Sequence, residues 1–100
     1  MAKKVIISCA VTGAIHTPSM SEFLPVTAEE VIEHSLAAHE AGAAVLHLHA
    51  RDEDDGHPTQ DPEEFQKFLP TIHNSCDAVI NITTGGGPQM TVEELSLIHI

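Results

Sequence analysis

The stretch Val45-Leu46-His47-Leu48-His49-Ala50-Arg51 is short and apolar, and two histidines interrupt it two residues apart. In a β-strand, residues i and i+2 point to the same face, so His47 and His49 would project side by side. Their imidazoles, about 6 to 7 Å apart along the strand, can converge on one metal ion, and neutral imidazole is a common zinc ligand. The pattern predicts a strand that carries two ligands of a zinc site. The alternative is an ordinary strand whose histidines bond to backbone or water.

The composition bounds the class of protein. One hundred residues are one domain at most. Four Lys and Arg stand against fifteen Asp and Glu, and the net charge of −11 argues against nucleic acid and anionic membranes as partners. Cys9 and Cys76 form neither a disulfide framework nor a zinc-finger spacing, which fits a reducing, cytoplasmic location. The apolar run after Lys4 is too short for a signal peptide, and no run is long enough to span a bilayer.

Around the histidine strand, strands alternate with helices. The sequence predicts strands over about 4–11, 44–50 and 77–83, and helices over about 28–41, 62–74 and 91–98. This order favours parallel βαβ units, and a period of about forty residues is typical of a (β/α)₈ barrel. Such a barrel needs about 250 residues, so residues 1–100 would be its first three βα units, an incomplete TIM barrel. A flavodoxin-like open sheet is the alternative, although it too would need about five strands.

Local signals support the helix boundaries. Thr27 and Glu30 form a capping box at the start of the first helix. Asp61 is a suitable N-cap for the second helix, with Pro62 at its first position. Pro70 lies inside the apolar pattern of that helix, and it should end the helix early or kink it.

Polar residues follow each predicted strand. Thr12-Gly13, the two histidines and the segment Thr83-Thr84-Gly85-Gly86 all fall at carboxyl ends, which is the working face of these folds. Glycine N–H groups can approach an anion closely, and threonine hydroxyls add donors. We therefore predict that Thr83, Thr84, Gly85 and Gly86 bind a substrate carboxylate or phosphate, although a plain flexible turn is the alternative. Arg51 shares the histidine face, and it would either bind an anion or pair with Asp52 or Asp54.

Three motifs together resemble the β-keto acid cleavage enzyme family. They are Val11-Thr12-Gly13-Ala14 after strand one, His47-Leu48-His49-Ala50-Arg51 with Asp55-Gly56-x-Pro58 after strand two, and Asn81-Ile82-Thr83-Thr84-Gly85-Gly86 after strand three. The resemblance covers residues 3 to about 94. Three motifs in the same order and at the same spacing are far more specific than any one of them.

The resemblance implies a zinc-dependent (β/α)₈ barrel enzyme, usually a homotetramer, that condenses a β-keto acid with acetyl-CoA to give acetoacetate and an acyl-CoA. It implies that His47 and His49 are two of three protein ligands to Zn²⁺, the third being a glutamate late in the barrel. The catalytic aspartate and its partner arginine are also late, so the general base is not among these residues. Thr83 stands where family members acting on an amino-bearing keto acid have a serine. Ile15 stands where those members have a glutamate for the ammonium, which implies a substrate without an amino group.

The segment 95–100 departs from the family pattern, which suggests a truncated or mis-joined reading frame. We expect the polypeptide 1–100 to be inactive and poorly stable alone. Two other functions remain possible at this point. Amidohydrolases also carry His-x-His on a barrel strand, but on the first strand. A non-catalytic fragment with a structural metal would need four protein ligands, and no such set is evident.

Overall fold

A computed structural model describes residues 3–15, 18–83 and 91–93 of the chain. Its helices and strands are, in chain order, β1 (Ser8–Ala10), α1 (Ala28–Glu40), β2 (Val45–Leu48), β3 (Ala50–Arg51), β4 (Pro58–Thr59), α2 (Pro62–Gln66), α3 (Leu69–Ser75) and β5 (Val79–Ile82). Most of the helix predicted over 91–98 lies outside the described residues. None of the helices in the described part of the chain is long and apolar enough to cross a membrane.

Three of the strands form one parallel sheet in the order β1-β2-β5. β2 is central, and its His47 lies between Ala10 of β1 and Asn81 of β5. The predicted parallel α/β arrangement is therefore confirmed for these three strands. The first strand is shorter than the predicted 4–11. The Ile7 carbonyl accepts hydrogen bonds from the backbone N–H groups of Ala44 and Val45. Before Ile7, Val5 and Ile6 are exposed. A strand needs a partner, and β2 offers none to residues 4–6.

The first helix begins where the capping box predicts. The Thr27 hydroxyl accepts from the Glu30 backbone N–H at 3.2 Å and donates to the Glu30 carboxylate. That carboxylate also accepts from the Val26 N–H, one residue before the N-cap. Two N–H groups that the helix itself leaves without partners are thereby satisfied. The helix ends at Glu40 with Ala41 as its C-cap, and Gly42 follows with a φ of 123°, a conformation that favours glycine.

The single helix predicted over 62–74 is two helices in the structure. Asp61 caps α2 by accepting from the Glu63 N–H, and Pro62 occupies the first turn. α2 ends at Gln66, and α3 starts at Leu69 with Pro70 in its first turn. The reason is steric, because a proline inside a helix removes one N–H and its ring clashes with the carbonyl four residues earlier. The break puts Pro70 where its missing N–H has no cost.

The sequence predicts no strand between the strand 44–50 and the helix 62–74, but the structure contains a short antiparallel ladder that starts at Ala50 and includes Pro58 and Thr59. β3 pairs with β4 through Ala50 opposite Thr59 and Arg51 opposite Pro58. The 52–57 turn closes this ladder with hydrogen bonds from the Asp52 N–H to the His57 carbonyl and from the Gly56 N–H to the Asp52 carbonyl. The predicted strand 44–50 is accordingly divided, because His49 separates β2 from β3.

The helices cover one face of the sheet. The buried apolar side chains come from β2, from all three helices and from the residues next to them: Val31, Ala43, Leu46, Leu48, Ala50, Phe65, Phe68 and Ile72. The alternate residues of the strands lie on the opposite face. There Ser8, Ala10, Val79 and Asn81 are exposed, while Val45 and His47 are half-buried.

Candidate metal and substrate site

His47 is held by the neighbouring strand. The register places it beside Asn81, and its Nδ1 lies 2.5 Å from the Asn81 Oδ1. An amide oxygen only accepts, so Nδ1 donates this hydrogen bond and Nε2 is the nitrogen that could bind a metal ion. Histidine ligands of metals usually donate their other ring N–H in this way, which fixes both tautomer and orientation.

His49 lies just beyond the end of β2 and is buried, with 9% of its surface exposed. Its ring centroid is 5.1 Å from that of His47, and the two rings meet edge to face at 76°. The buried Nδ1 of His49 has no hydrogen-bond partner within the described residues. A buried polar atom without a partner costs about 1–3 kcal/mol, so this nitrogen is a place where a ligand would be stabilising.

The surroundings of His49 favour its neutral form. Burial lowers the pKa of the His49 imidazole, and the nearby His47 and Arg51 lower this pKa further. Neutral imidazole is the form that binds a metal ion, since the protonated ring has no free lone pair.

The two imidazoles fit a zinc ion in donor type but do not complete a site. Within residues 3–15, 18–83 and 91–93, no group of three or more His, Cys, Asp and Glu side chains could hold a metal. A catalytic zinc usually has three protein ligands and one open position. His47 and His49 can thus supply two ligands, and a further one would have to come from outside the described part of the chain.

Arg51 is buried, with 2% of its surface exposed, and its hydrogen bonds within the described residues go to neutral oxygens. Its Nε donates to the Thr12 hydroxyl at 2.9 Å, its Nη1 to the Gly56 carbonyl at 2.8 Å and its Nη2 to the Gly13 carbonyl at 2.8 Å. The predicted ion pair with Asp52 or Asp54 is therefore wrong. Those two carboxylates are exposed, and the Asp52 side chain accepts the Asp54 backbone N–H instead. Burial lowers the pKa of the Arg51 guanidinium.

The two buried threonines lie at carboxyl ends of strands, as predicted. Thr12 follows β1 and Thr83 follows β5, and the Thr83 N–H donates to the Leu48 carbonyl at 3.2 Å. Thr83 thus continues β5 at the level where β2 ends. The other three residues predicted to bind substrate, Thr84, Gly85 and Gly86, lie outside the described residues. Ile15 is described and is 82% exposed.

Sequence reasoning assigned no role to two residues that shape this site. Asn81 was noticed only as part of a motif, although it orients His47. Gly56 was read as a turn residue, although its carbonyl accepts from Arg51. The signal for Asn81 was its position two residues before Thr83 on a strand, but the strand pairing was also needed. Nothing local in the sequence indicated the contact of Gly56.

Comparison of the sequence with models of known protein families assigns the chain to a family. The family described as beta-keto acid cleavage enzyme matches residues 4–99. The chain belongs to this family. The assignment agrees with the three motifs and separates the chain from the amidohydrolases.

Characterised members of the family share much of this sequence. The 3,5-dioxohexanoate:acetyl-CoA acetone transferase of Paraburkholderia graminis is 67% identical over 92 residues, which are 92% of this chain and 30% of that protein. The 3-keto-5-aminohexanoate cleavage enzyme of Acetoanaerobium sticklandii is 44% identical over 93 residues, 92% of this chain and 34% of that enzyme. The 3-dehydrocarnitine:acetyl-CoA trimethylamine transferase of Rhizobium meliloti is 40% identical over 88 residues, 87% of this chain and 29% of that protein. The chain thus spans about a third of the length of these relatives.

Proposed function

We propose that the full-length protein is a zinc-dependent β-keto acid cleavage enzyme, an acyltransferase. By full-length protein we mean a protein that contains this chain and has the length of its relatives. It would condense a β-keto acid with acetyl-CoA. The bond between C2 and C3 of the keto acid breaks, the carboxymethyl part joins the acetyl group as acetoacetate, and the remaining acyl group leaves on CoA. The observation that carries the proposal is the adjacent His47 and His49 pair at the carboxyl end of a parallel strand in a member of this family.

The substrate we propose is a β-keto acid without an amino group, in the class of 3,5-dioxohexanoate. Ile15 is apolar and cannot pair with an ammonium group, and leaving such a charge unpaired at a closed site is costly. The name of the 67% identical relative is that of an enzyme acting on such a diketo acid. Both considerations favour the same substrate class, and they are independent of each other.

We also propose that this chain forms the first three βα units of a (β/α)₈ barrel. The support is that, among the described residues, the helices cover one face of the parallel sheet, while the opposite face is largely exposed and polar near the histidines. In a barrel that second face would point inward and be covered by the remaining strands. A homotetramer in the cytoplasm is the assembly and location that we expect.

The site residues of this chain have separate tasks in the proposal. His47 and His49 would hold the metal, with Asn81 fixing the His47 tautomer. A bound zinc ion would act as a Lewis acid on the keto oxygen. Thr83, Thr84, Gly85 and Gly86 would hold the substrate carboxylate through hydroxyl and backbone donors. The general base is expected in the part of the relatives that this chain does not span.

An assay of the full-length protein tests the proposal. Its substrates are 3,5-dioxohexanoate, 3-keto-5-aminohexanoate and 3-oxoadipate, each with and without acetyl-CoA, and its products are acetoacetate and the acyl-CoA, measured by mass spectrometry. We expect turnover that requires acetyl-CoA and is fastest with the diketo acid. An Ile15→Glu variant should shift the preference toward the amino-bearing acid, and Ile15→Leu should not. A wild-type preference for the amino-bearing acid, or cleavage without acetyl-CoA, would overturn the proposal.

A further inference from the structure

The connection between β1 and α1, of which the structure describes residues 12–15 and 18–26 before Thr27, leaves the sheet at the same edge as the histidine pair. Ala10 pairs with His47, so Thr12, two residues further along, begins this loop at the level of His49. Fifteen residues are long for a connection, and a loop at the carboxyl edge of a parallel sheet is placed to touch a substrate. What holds this loop is therefore relevant to binding.

A single neighbouring segment, residues 51–57, contacts the loop near its start, its middle and its end. At the start, Arg51 donates to the Thr12 hydroxyl and to the Gly13 carbonyl. Just past the end, the Glu53 carboxylate accepts from the backbone N–H of Ala28 at 2.9 Å. The segment thus spans the loop from β1 to the first residue of α1.

The contact in the middle of the loop depends on Gly56. Its φ is 75°, a conformation that L side chains rarely adopt, and its carbonyl accepts from Arg51 Nη1. A Cβ at this position would collide with Cγ of Pro18, and it would lie 3.0 Å from Cδ of Pro18 and 3.6 Å from Cγ2 of Val26. The backbone of the turn at Gly56 therefore packs directly against the side chains of Pro18 and Val26, and only glycine fits.

Arg51 suits this connection through its shape more than its charge. Three nitrogens of one rigid fork bind three oxygens, on Thr12, Gly13 and Gly56, so the loop and the turn are fixed to each other in one geometry. All three oxygens are neutral, and within the described residues no carboxylate pairs with this buried cation. A buried charge without an ionic partner is costly, so packing alone would favour an apolar residue here.

We propose that Arg51 and Gly56 form a clamp that holds residues 12–15 and 18–26 of this connection at the sheet edge where the histidine pair lies, and that this clamp sets the affinity for the keto acid. The inference rests on the proposed function, because it names a positioning role within that site. Arg51 is a positioning residue: it acts on the substrate through the loop and not by touching the reacting atoms. Loosening the clamp should weaken keto-acid binding and leave the metal and the chemical step largely in place.

The test compares Arg51→Lys and Gly56→Ala with Asp54→Ala in the full-length protein. Arg51→Lys keeps the positive charge but loses the three-nitrogen fork. Gly56→Ala keeps Arg51 but adds a Cβ that would collide with Pro18. Asp54 is an exposed residue of the same turn, so Asp54→Ala is the control. We expect both clamp variants to raise KM for the keto acid about tenfold, with kcat within about threefold of wild type. KM for acetyl-CoA and the zinc content should not change, and Asp54→Ala should behave as wild type.

A wild-type KM in both clamp variants would overturn the proposal. So would a loss of kcat alone in proportion to the folded fraction, since that is the signature of a merely structural role. Hydrogen exchange of residues 18–26 provides a measurement that does not depend on turnover: protection should fall in both clamp variants and not in Asp54→Ala. If the wild type shows no turnover, the proposed function is wrong. The clamp is then tested by hydrogen exchange alone, and unchanged protection in both clamp variants would contradict it.

Discussion

The two faces of the parallel sheet are built from the same three strands, yet they differ in almost every property. On the helix-covered face, Leu46 and Leu48 have no exposed surface and pack within one apolar cluster. On the opposite face, Val79 is 62% exposed, and His47 and Asn81 form a polar pair. Stability is concentrated on one face, and the groups capable of chemistry lie on the other face or at its carboxyl edge.

This difference between the two faces explains why β2 contains both apolar and polar residues. A strand buried on both sides in a finished α/β fold is usually apolar throughout. β2 instead places His47 between Leu46 and Leu48, so its second face is polar as well as apolar. We therefore expect substitutions on the two faces to have different effects on stability.

The largest effect is expected between polypeptide 1–100 alone and a protein of the relatives' length. In the part of the chain that the structure describes, three parallel strands leave two open edges and one face without helices, and a short chain buries a small fraction of its surface. We expect this polypeptide alone to be inactive and to melt without cooperativity. Thermal melting, size-exclusion chromatography and the condensation assay would measure this. A cooperative monomeric melt together with turnover would show that the second face needs no cover.

The next effect separates the faces directly. Leu46→Ala should destabilise the full-length protein by about 3 kcal/mol, because it leaves a cavity in the helix-covered core. Val79→Ala is the matched change on the other face. Val79 is 62% exposed in the described structure, so this change should cost almost nothing if that face stays uncovered, and about 1–3 kcal/mol if a barrel covers it. Urea denaturation of the full-length protein gives both values, and a negligible cost of Val79→Ala there would argue against the barrel.

A smaller effect is expected at the start of α1. Thr27→Ala removes the hydroxyl that accepts from the Glu30 N–H, and loss of such a cap costs about 1 kcal/mol. Thr71→Ala, at an exposed position of α3, is the control and should cost nothing. The readout is the urea midpoint of the full-length protein, and an equal shift in both variants would mean that the cap does not stabilise α1.

The parts of the fold that were predictable from the sequence depend on local physics. The caps at Thr27 and Asp61 involve residues two or three apart, and the break before Pro70 follows from a steric clash within one turn. The β3–β4 ladder was not predictable, because Arg51 is stabilised there by oxygens of Thr12 and Gly13, far away along the chain. Residues at such separations meet only once the sheet has formed.

The candidate site divides in the same way. That His47 and His49 are neighbours follows from strand geometry alone, and the structure brings their rings to 5.1 Å. That Asn81 orients His47 depends on the register between β2 and β5, which no local pattern encodes. The roles of Thr84, Gly85 and Gly86 stay predictions, because these residues lie outside the described part of the chain.

The metal content of the full-length protein tests the central claim most directly. Purified wild type and a His47→Ala, His49→Ala double variant would be compared by elemental analysis, with His57→Ala, an exposed histidine of the 52–57 turn, as control. The account predicts one zinc per subunit in the wild type and in the control, and near-complete loss in the double variant. Stoichiometric zinc in the double variant would contradict the claim that His47 and His49 hold the metal.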